Sequence, residues 1–511
     1  MKILFIYPAF ENLGIEYISA VLKNNGYETK LLFDPQLFGD LFINVRLLKR
    51  IFSYRTSILN NIEKEQPDVI AFSVVSDNYG WACSYADTIK RTNPNIKIVF
   101  GGPHVTAVPN NVLNNWFVDF VIVGEGEYPM LELVQALDVG KDYSKIDNLG
   151  FKDSNGIIVN KPRMLLQNLD ELPFPDTDLF IKCNPYAKKE YNIITSRGCV
   201  NKCSYCHNSV ERKFLWNKCG KYLRRRSVNN VIKELRERKE KYGFNTLCIW
   251  DEVFTYDEKW LEEFGTKYKY EIGVPFWTFV HPKHITPRIV QLLEDMGCWE
   301  VEMGVQTLNQ NVKETVLHRY ETKSDVINAI ELFKKSKIRL VVDVIFGLPE
   351  LREIDYIELV ETFNQHRPTK IQTFWLRYYP ETDIVLTAKE KGVLSEKEID
   401  EINEGIPDRA AASGGSNIDK KIEKYQTILT MLPFLKKSVV NTLVDRIKKG
   451  KKVYIPNISR FGHIFTRMFD LGNKNDIGGR RYKGRLIYFT TGKLFKIGDK
   501  NAYRRKKNMD S

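Results

Sequence analysis

The sequence predicts an α/β protein: an open, Rossmann-like parallel sheet, then a partial (β/α)6 barrel, then a mainly helical and basic extension. Two observations carry this expectation. Short runs rich in β-branched and aromatic residues alternate twice along the chain with stretches of helical periodicity, and such alternation builds a parallel sheet with helices on its faces. Between Asp138 and Lys189 the alternation gives way to polar and proline-rich sequence, including DELPFPDTDLF, the mark of a connection between domains. With 511 residues, 43% of them hydrophobic and 28% charged, the chain reads as globular and too long for one ordinary core. The expected units are 1–140, a linker over 141–188, a barrel over 189–395 and an extension over 396–511.

In the first unit KILFIY is a continuous apolar run, as expected of a strand buried on both faces. LGIEYISAVLKNNGYE follows with helical spacing and stops at Gly26. TKLLF, DVIAFSVV, IKIVFGG and FVDFVIVG supply the further strands, with helices near Ile51–Glu65, Tyr79–Thr92, Val112–Trp116 and Pro129–Leu137. Pro35–Tyr54 fits this scheme poorly and reads as an insertion. In the second unit NIITSRGC, TLCIWDEVF, PFWTFV, EVEMGVQ, RLVVDVIFGLP and KIQTFWLRYY give six strands, with helices such as Val228–Tyr242 and Lys323–Ser336 between them. Six parallel strands make an incomplete barrel, whose chemistry gathers at the carboxyl ends of the strands. Beyond it the chain is helical around Ile418–Lys449, after a flexible joint at AAASGGSN.

The sharpest local signal is TSRGCVNKCSYCHN, where Cys199, Cys203 and Cys206 stand at CxxxCxxC just after the first strand of the second unit. A structural zinc site takes four ligands, usually as two separated pairs, and no second CxxC exists. A ferredoxin-type cluster also takes a fourth nearby cysteine, and neither Cys183 nor Cys219 sits in a paired spacing. Three thiolates on one tight loop leave one iron of a [4Fe–4S] cluster open to a substrate or cofactor. Cys248 and Cys298 lie in apolar contexts and read as core thiols.

CxxxCxxC at this place in a six-strand series resembles the radical S-adenosylmethionine (SAM) superfamily. The resemblance implies that Cys199, Cys203 and Cys206 hold a [4Fe–4S] cluster whose fourth iron takes the amino and carboxylate groups of SAM. Tyr205 matches the aromatic residue before the third cysteine. WDEVF offers Asp251 and Glu252 toward the SAM amino group, MGVQT offers Gln306, and DVIFGLPE resembles the segment lying along the adenine, with Ile345 and Gly347. YYPETD resembles a turn usually written with Pro-Gly-Thr, with Glu381 in place of the glycine. His207 and His281 are further polar residues at the barrel mouth.

The first unit, with LPFPD after it, resembles the cobalamin-binding domain fused in front of many radical SAM enzymes. The candidate cobalamin residues are Gly14, Ser73, Gly101, Gly102, Pro103, Gly124, Glu125 and Glu127, in loops that end consecutive strands. Members that supply a lower ligand carry DxHxxG; aligned on Gly14, Ala9 and Glu11 stand where its Asp and His would be. The resemblance therefore implies cobalt bound without a protein imidazole. It also implies that SAM is used twice, once as the methyl source for cobalamin and once cleaved to a radical that abstracts hydrogen from the substrate.

Charge is unevenly placed. Of the net +13, residues 446–511 carry 19 Lys and Arg against 4 Asp, leaving 58 against 60 in the rest. The basic tail could meet an anionic partner or be a solvated end. No run of about 18 uncharged apolar residues appears, and the start lacks a signal-peptide pattern, so the expected location is cytoplasmic. Three functions are consistent with these features. The first is a cobalamin-dependent methyltransferase acting on an unactivated carbon of a small metabolite or peptide, served by a flavodoxin- or ferredoxin-type electron donor. The second is a radical SAM cyclase, rearrangement or oxidation enzyme, and the third a non-catalytic cobalamin-responsive binding protein.

Overall fold

Strand β1 (Lys2–Pro8) seals Ile3, Leu4, Phe5 and Ile6 from solvent on both faces, and every later element of the first unit is placed around it. The structure is a computed structural model describing residues 1–39, 46–215, 219–405, 420–455, 484 and 486–490. β1 pairs in parallel with β2 (Glu28–Asp34) on one side and β3 (Val69–Ser73) on the other; β4 (Lys97–Gly101) and β5 (Phe120–Ile122) extend the sheet beyond β3. The chain therefore changes direction across the sheet between β1 and β3, and the loops at that switch point diverge to leave a crevice. The helix Leu13–Asn24 starts where the Asn12 side chain accepts the Ile15 N–H and buries Ile15, Tyr17, Val21 and Leu22. Helices Arg55–Glu65, Ser76–Thr92, Pro109–Asn114 and Glu127–Val139 stand where the periodicity puts them, to within a few residues. Within the insertion, residues 40–45 lie outside the described residues and Arg46–Ile51 is a short helix.

The segment 141–188, expected as a linker, holds structure. β6 (Leu149–Asp153) and β7 (Gly156–Val159) form an antiparallel hairpin that continues the first sheet past β5. Its signal is weak because a hairpin at a sheet edge needs few apolar residues: Leu149 and Phe151 are buried, while Lys152 and Asp153 are exposed.

The second unit opens with β8 (Glu190–Ile193), shorter than the run NIITSRGC suggests. A two-residue antiparallel pair, β9 (Ser196–Arg197) with β10 (Arg224–Arg225), then ties together the two ends of the segment carrying the cysteines. β11 (Thr246–Ile249), β12 (Phe276–Val280), β13 (Cys298–Gln306), β14 (Arg339–Phe346) and β15 (Lys370–Trp375) follow, all parallel, in unbroken spatial order from β8. On β13 and β14, Val301, Met303, Val305, Leu340, Val342, Val344 and Phe346 pack in the core beneath the helices. The alternate positions Glu302, Asp343 and Ile345 therefore face the inside of the curve. β8 and β15 are not paired, so the barrel is open.

The expected boundary at 395/396 falls inside a packed region: Ile402, on the helix Glu396–Asn403, joins Leu376, Tyr378, Ile384 and Leu394 in one apolar cluster. Helices Lys420–Met431 and Lys437–Lys448 then lie against Glu353–His366, with Tyr425, Ile428, Leu429, Val440 and Val444 entering the barrel core. The first of them covers the flank of β15, an edge strand that would otherwise be bare. Phe489 returns to the first unit, where its ring packs 5.8 Å from Phe33 and its carbonyl accepts the Tyr54 hydroxyl at 2.7 Å. The expected joint at Ala410–Asn417 and most of the basic tail lie outside the described residues. No helix among the described residues is long and apolar enough to cross a membrane.

Candidate functional site

At the switch point of the first sheet lies a cavity of about 350 Å³. Gly14, Ser73, Gly101, Gly102, Pro103, Gly124, Glu125 and Glu127, the eight residues expected at a cobalamin site, all line it. Its inner wall is apolar, formed by Phe5, Ala71, Val99 and Ile122 of the sheet with Ile15, Ile18 and Met130 of the covering helices. Protein layers normally interdigitate without gaps of this size, so a space of this volume between sheet and helices is that of a binding site. Ile194 and Arg197, from the second unit, finish the wall. Among the described residues that line it there is no histidine; His104 is hydrogen-bonded with Ser76 Oγ at 2.9 Å. Gly102 is a glycine for a backbone reason. Its φ is +100° and a Cβ there would lie 2.8 Å from the Val74 backbone, so the glycine serves the close approach of two loops rather than room for a ligand.

Glu125 and Glu127 touch the cavity, but their carboxylates are taken. Arg197 donates to Glu125 at 3.0 Å and to Glu127 at 2.5 Å, and Arg224 donates to both Glu125 oxygens at 2.8 and 3.1 Å. Arg197 and Arg224 are cross-strand partners in β9–β10, where two like charges face to face would repel. The acidic loop of the first unit neutralises them and clamps the two units together. Burial pushes the Glu125 carboxyl up, but Arg197 and Arg224 outweigh it and hold the group below its ordinary value of 4.5. A carboxyl depressed in the folded state contributes stability above its unfolded value, and that stability is lost as pH falls through the folded one. Melting temperature recorded from pH 7 downward is therefore expected to fall once pH drops below about 4.5, and Glu125→Gln is expected to make that fall shallower. An unchanged acid slope in the variant would remove the clamp from the cause.

The three cysteines sit on the loop between β9 and β10, at the carboxyl end of the barrel. Each thiol sulfur accepts an N–H: Asn201 N to Cys199 at 3.4 Å, Arg319 Nη1 to Cys203 at 3.9 Å and Asn208 Nδ2 to Cys206 at 3.5 Å. Such donors suit a thiolate ligand. Burial pushes the Cys199 thiol up to about 11 and the Cys206 thiol up to about 12, so deprotonation needs the positive charge of a bound metal. No group of His, Cys, Asp or Glu among the described residues converges as a single ion would require. A cubane cluster bonds each thiolate at a different iron, so its ligands need not share one point. The donor set fits such a cluster.

Around that loop the expected SAM residues separate into two groups. Tyr205 and Ile345 pack on one apolar cluster. Arg319 joins the Tyr205 hydroxyl at 3.2 Å to the Gly304 carbonyl at 2.6 Å, and Gln306, in the left-handed region at φ 66°, lies against Gly304. Glu252 is exposed beside the cysteine loop, and partial desolvation by its neighbours pushes its carboxyl up. Asp251 departs from the expectation. It accepts from the Thr195 and Ser196 N–H groups at 2.6 and 3.2 Å and from both hydroxyls, and Arg225 lies 3.6 Å away, caged by Trp260 and Tyr256. The Asp251 carboxylate is spent on fixing the turn out of β8. The Gly347 N–H is likewise engaged, by Tyr356. Glu381 keeps the glycine-like conformation of the turn it occupies, at φ 59°. Arg197, Arg224, Arg225 and Arg319 were not expected; only Arg197, inside TSRGC, adjoins a motif.

Inside the barrel, Trp250 and Phe374 are 42% and 44% exposed, values that mark the wall of a space rather than a core. Trp277 and Phe279 meet Trp250 with ring centroids 4.8 and 5.8 Å away. The Trp250 indole donates to Asn192, whose amide reaches Glu11 of the first unit at 2.7 Å. Deeper, Asp343 and Glu302 lie side by side on adjacent strands; burial raises both carboxyls, and the neighbouring Glu302 charge raises Asp343 further. Cys248 and Cys298 are buried.

The comparisons agree with this geometry. Residues 6–134 match the family model of the B12 binding domain, and residues 193–363 that of the radical SAM superfamily. An uncharacterized methyltransferase of Pyrococcus horikoshii is 26% identical over 370 residues, 68% of this chain and 75% of its own. The anaerobic magnesium-protoporphyrin IX monomethyl ester cyclase of Synechocystis is 24% identical over 389 residues, 75% of this chain and 74% of its own. The radical S-adenosylmethionine methyltransferase TsrM of Kitasatospora setae shares the fold with a TM-score of 0.62 at 17% identity, over 76% of each chain. A B12-binding domain that shares its cavity wall with a radical SAM barrel makes this chain a cobalamin-binding radical SAM enzyme, working with SAM, an iron–sulfur cluster and cobalamin.

Proposed function

We propose that the chain is a cobalamin-dependent methyltransferase acting on an unactivated carbon of a small metabolite or peptide. Cys199, Cys203 and Cys206 would hold the [4Fe–4S] cluster, and Tyr205, Glu252, Gln306 and Ile345 would line the SAM site. The observation that carries the proposal is the shared wall: Arg197, two residues before Cys199, also borders the cavity of the first unit. Methyl transfer to an unreactive carbon needs both cofactors at one substrate, and a common wall brings their sites together. When bound, the cofactors supply hydrogen abstraction and the methyl group.

The protein's part is position and exclusion. Asp251, fixed by Arg225, holds the turn that leads into the cysteine loop, and Glu252 on the next residue presents its carboxylate to the SAM amino group. Trp250, Trp277, Phe279 and Phe374 hold the substrate's apolar part and keep water from the reacting carbon. Glu302 and Asp343, whose carboxyls burial holds toward the protonated form, offer hydrogen-bonding groups to a polar group at its far end. A flavodoxin- or ferredoxin-type protein would deliver the electron.

The cyclase relative favours a second reading, ring closure or another oxidation without methyl transfer. One assay separates them. The full chain is reconstituted anaerobically with iron, sulfide and cobalamin, and SAM turnover is followed under reductant with candidate substrates. S-adenosylhomocysteine formed alongside 5′-deoxyadenosine is the expected result; 5′-deoxyadenosine alone in a productive reaction favours the second reading. A chain that retains no cobalamin would overturn the methyltransferase.

A further inference from the structure

Behind Cys203 lies a buried charge network that neither the motif nor the cavity calls for. Arg319 is 6% exposed, and Glu321 and Lys313 are sealed entirely. Arg319 Nε donates to Glu321 Oε1 at 2.8 Å, Nη2 to the Gly304 carbonyl at 2.6 Å, and Nη1 to the Tyr205 hydroxyl at 3.2 Å and the Cys203 sulfur at 3.9 Å. Lys313 Nζ stands 3.3 Å from Glu321 Oε1, and His281 Nε2 stands 3.3 Å from Glu321 Oε2. Burial pushes the His281 imidazole down to about 4, so near neutrality it adds no charge. Burial pushes the Lys313 ammonium down as well, so the fixed charges are Arg319, directly behind one thiol, and its counter-ion Glu321.

Burying charges this way is expensive, and a simple packing role is served as well by apolar side chains. The geometry gives the network another use. Hydrogen bonds to cluster sulfurs and the charge around them set the reduction potential of an iron–sulfur centre. An electron arriving from a flavodoxin- or ferredoxin-type donor breaks and forms no bond; it adds one unit of negative charge to the cluster and its thiolates. A cation fixed in a low-dielectric interior stabilises the reduced state, and an anion beside that cation moderates the effect. Arg319 has its guanidinium committed to four acceptors, so it is held as a fixed charge rather than left free to follow a ligand.

We propose that Arg319 raises the reduction potential of the cluster held by Cys203 and that Glu321 sets how far, the pair acting as opposed tuning residues. This rests on the assignment of the three cysteines as cluster ligands. The test is a redox titration of the anaerobically reconstituted full chain, without SAM or substrate, followed by the electron paramagnetic resonance signal of the reduced cluster. Arg319→Gln is expected to shift the equilibrium at least tenfold toward the oxidised state, about 59 mV more negative for a one-electron couple. Glu321→Gln shifts it the opposite way, and Arg319→Lys, which keeps the charge, stays near the wild type. A loss of packing alone would not move two neighbours in opposite directions. Midpoints that coincide in all variants, or that move in the same direction, overturn the proposal. Should Arg319→Gln hold no cluster, the other two variants decide it: a wild-type midpoint in Glu321→Gln, or a strongly lowered one in Arg319→Lys, is equally fatal. A wild-type chain that binds no iron and sulfide instead sinks the ligand assignment, a separate result read from metal content.

Discussion

Replacing Cys203 with alanine is expected to give a folded protein that assembles no stable cluster and no longer cleaves SAM. The loop does not depend on that thiol for its path. The Ser204 N–H donates to the Leu317 carbonyl at 3.0 Å, the Ser204 hydroxyl bonds the Val316 carbonyl, and the Ser204 carbonyl accepts the Ile384 N–H at 3.0 Å. The backbone just after Cys203 is thus held by neighbours that the substitution leaves in place, and removing one buried sulfur leaves a small gap. The chemistry has no such reserve, because two thiolates cannot retain a cluster whose fourth iron must stay open. Loss of turnover should exceed the ~10–100-fold that follows from disturbing only the hydrogen-bond partners of a metal ligand. Iron and sulfide content, the visible spectrum and 5′-deoxyadenosine yield measure it, with a melting curve to verify the fold. Full cluster content and normal cleavage in the variant would contradict the assignment of Cys203.

The second large effect is on the junction of the two units. Arg197→Met leaves Glu127, with a side chain 7% exposed, without its cation, and leaves Glu125 with Arg224 alone. Breaking a buried pair by removing one partner costs about 3–5 kcal/mol. Because Arg224 still holds Glu125, a cost near the lower end is expected, which at about 2–4 °C per kcal/mol lowers the melting temperature of the first unit by roughly 6–12 °C. Cobalamin retention should weaken in parallel, since Arg197 is part of the cavity wall. Adding Glu125→Gln and Glu127→Gln to the same chain removes the stranded charges and should restore much of the stability, without restoring cobalamin binding to the same degree. If the triple variant melts as low as the single one, the loss is of packing and not of charge pairing.

The strands were legible wherever both faces are buried. KILFIY is uninterrupted because helices cover both faces of its sheet, RLVVDVIF shows its inward face by the single Asp343, and CxxxCxxC was legible because three ligands at fixed spacing have few other uses. The hairpin β6–β7 was not, since an edge element buries only Leu149 and Phe151 firmly. Asp251 and Glu252 could not be told apart, because adjacent residues at a strand end point in opposite directions and only the fold decides which of them meets Thr195. Arg319 left no trace at all. It lies 116 residues from Cys203 in a stretch with no periodic signal, and its meaning comes from the sulfur, ring and carbonyl that the barrel gathers around it.

The return of Phe489 to Phe33 and Tyr54 changes how the first unit can move. A domain joined to its neighbour by one covalent connection swings as a gate on a single hinge. Here the polypeptide leaves the first unit through the segment after β7, runs the length of the barrel and comes back to dock on the far edge, beside β2. Phe489 is thereby a buried member of the first unit's own core, with Leu486 packed against it. Ending the chain at the barrel would therefore take core residues from the first unit, far away in sequence from the cut.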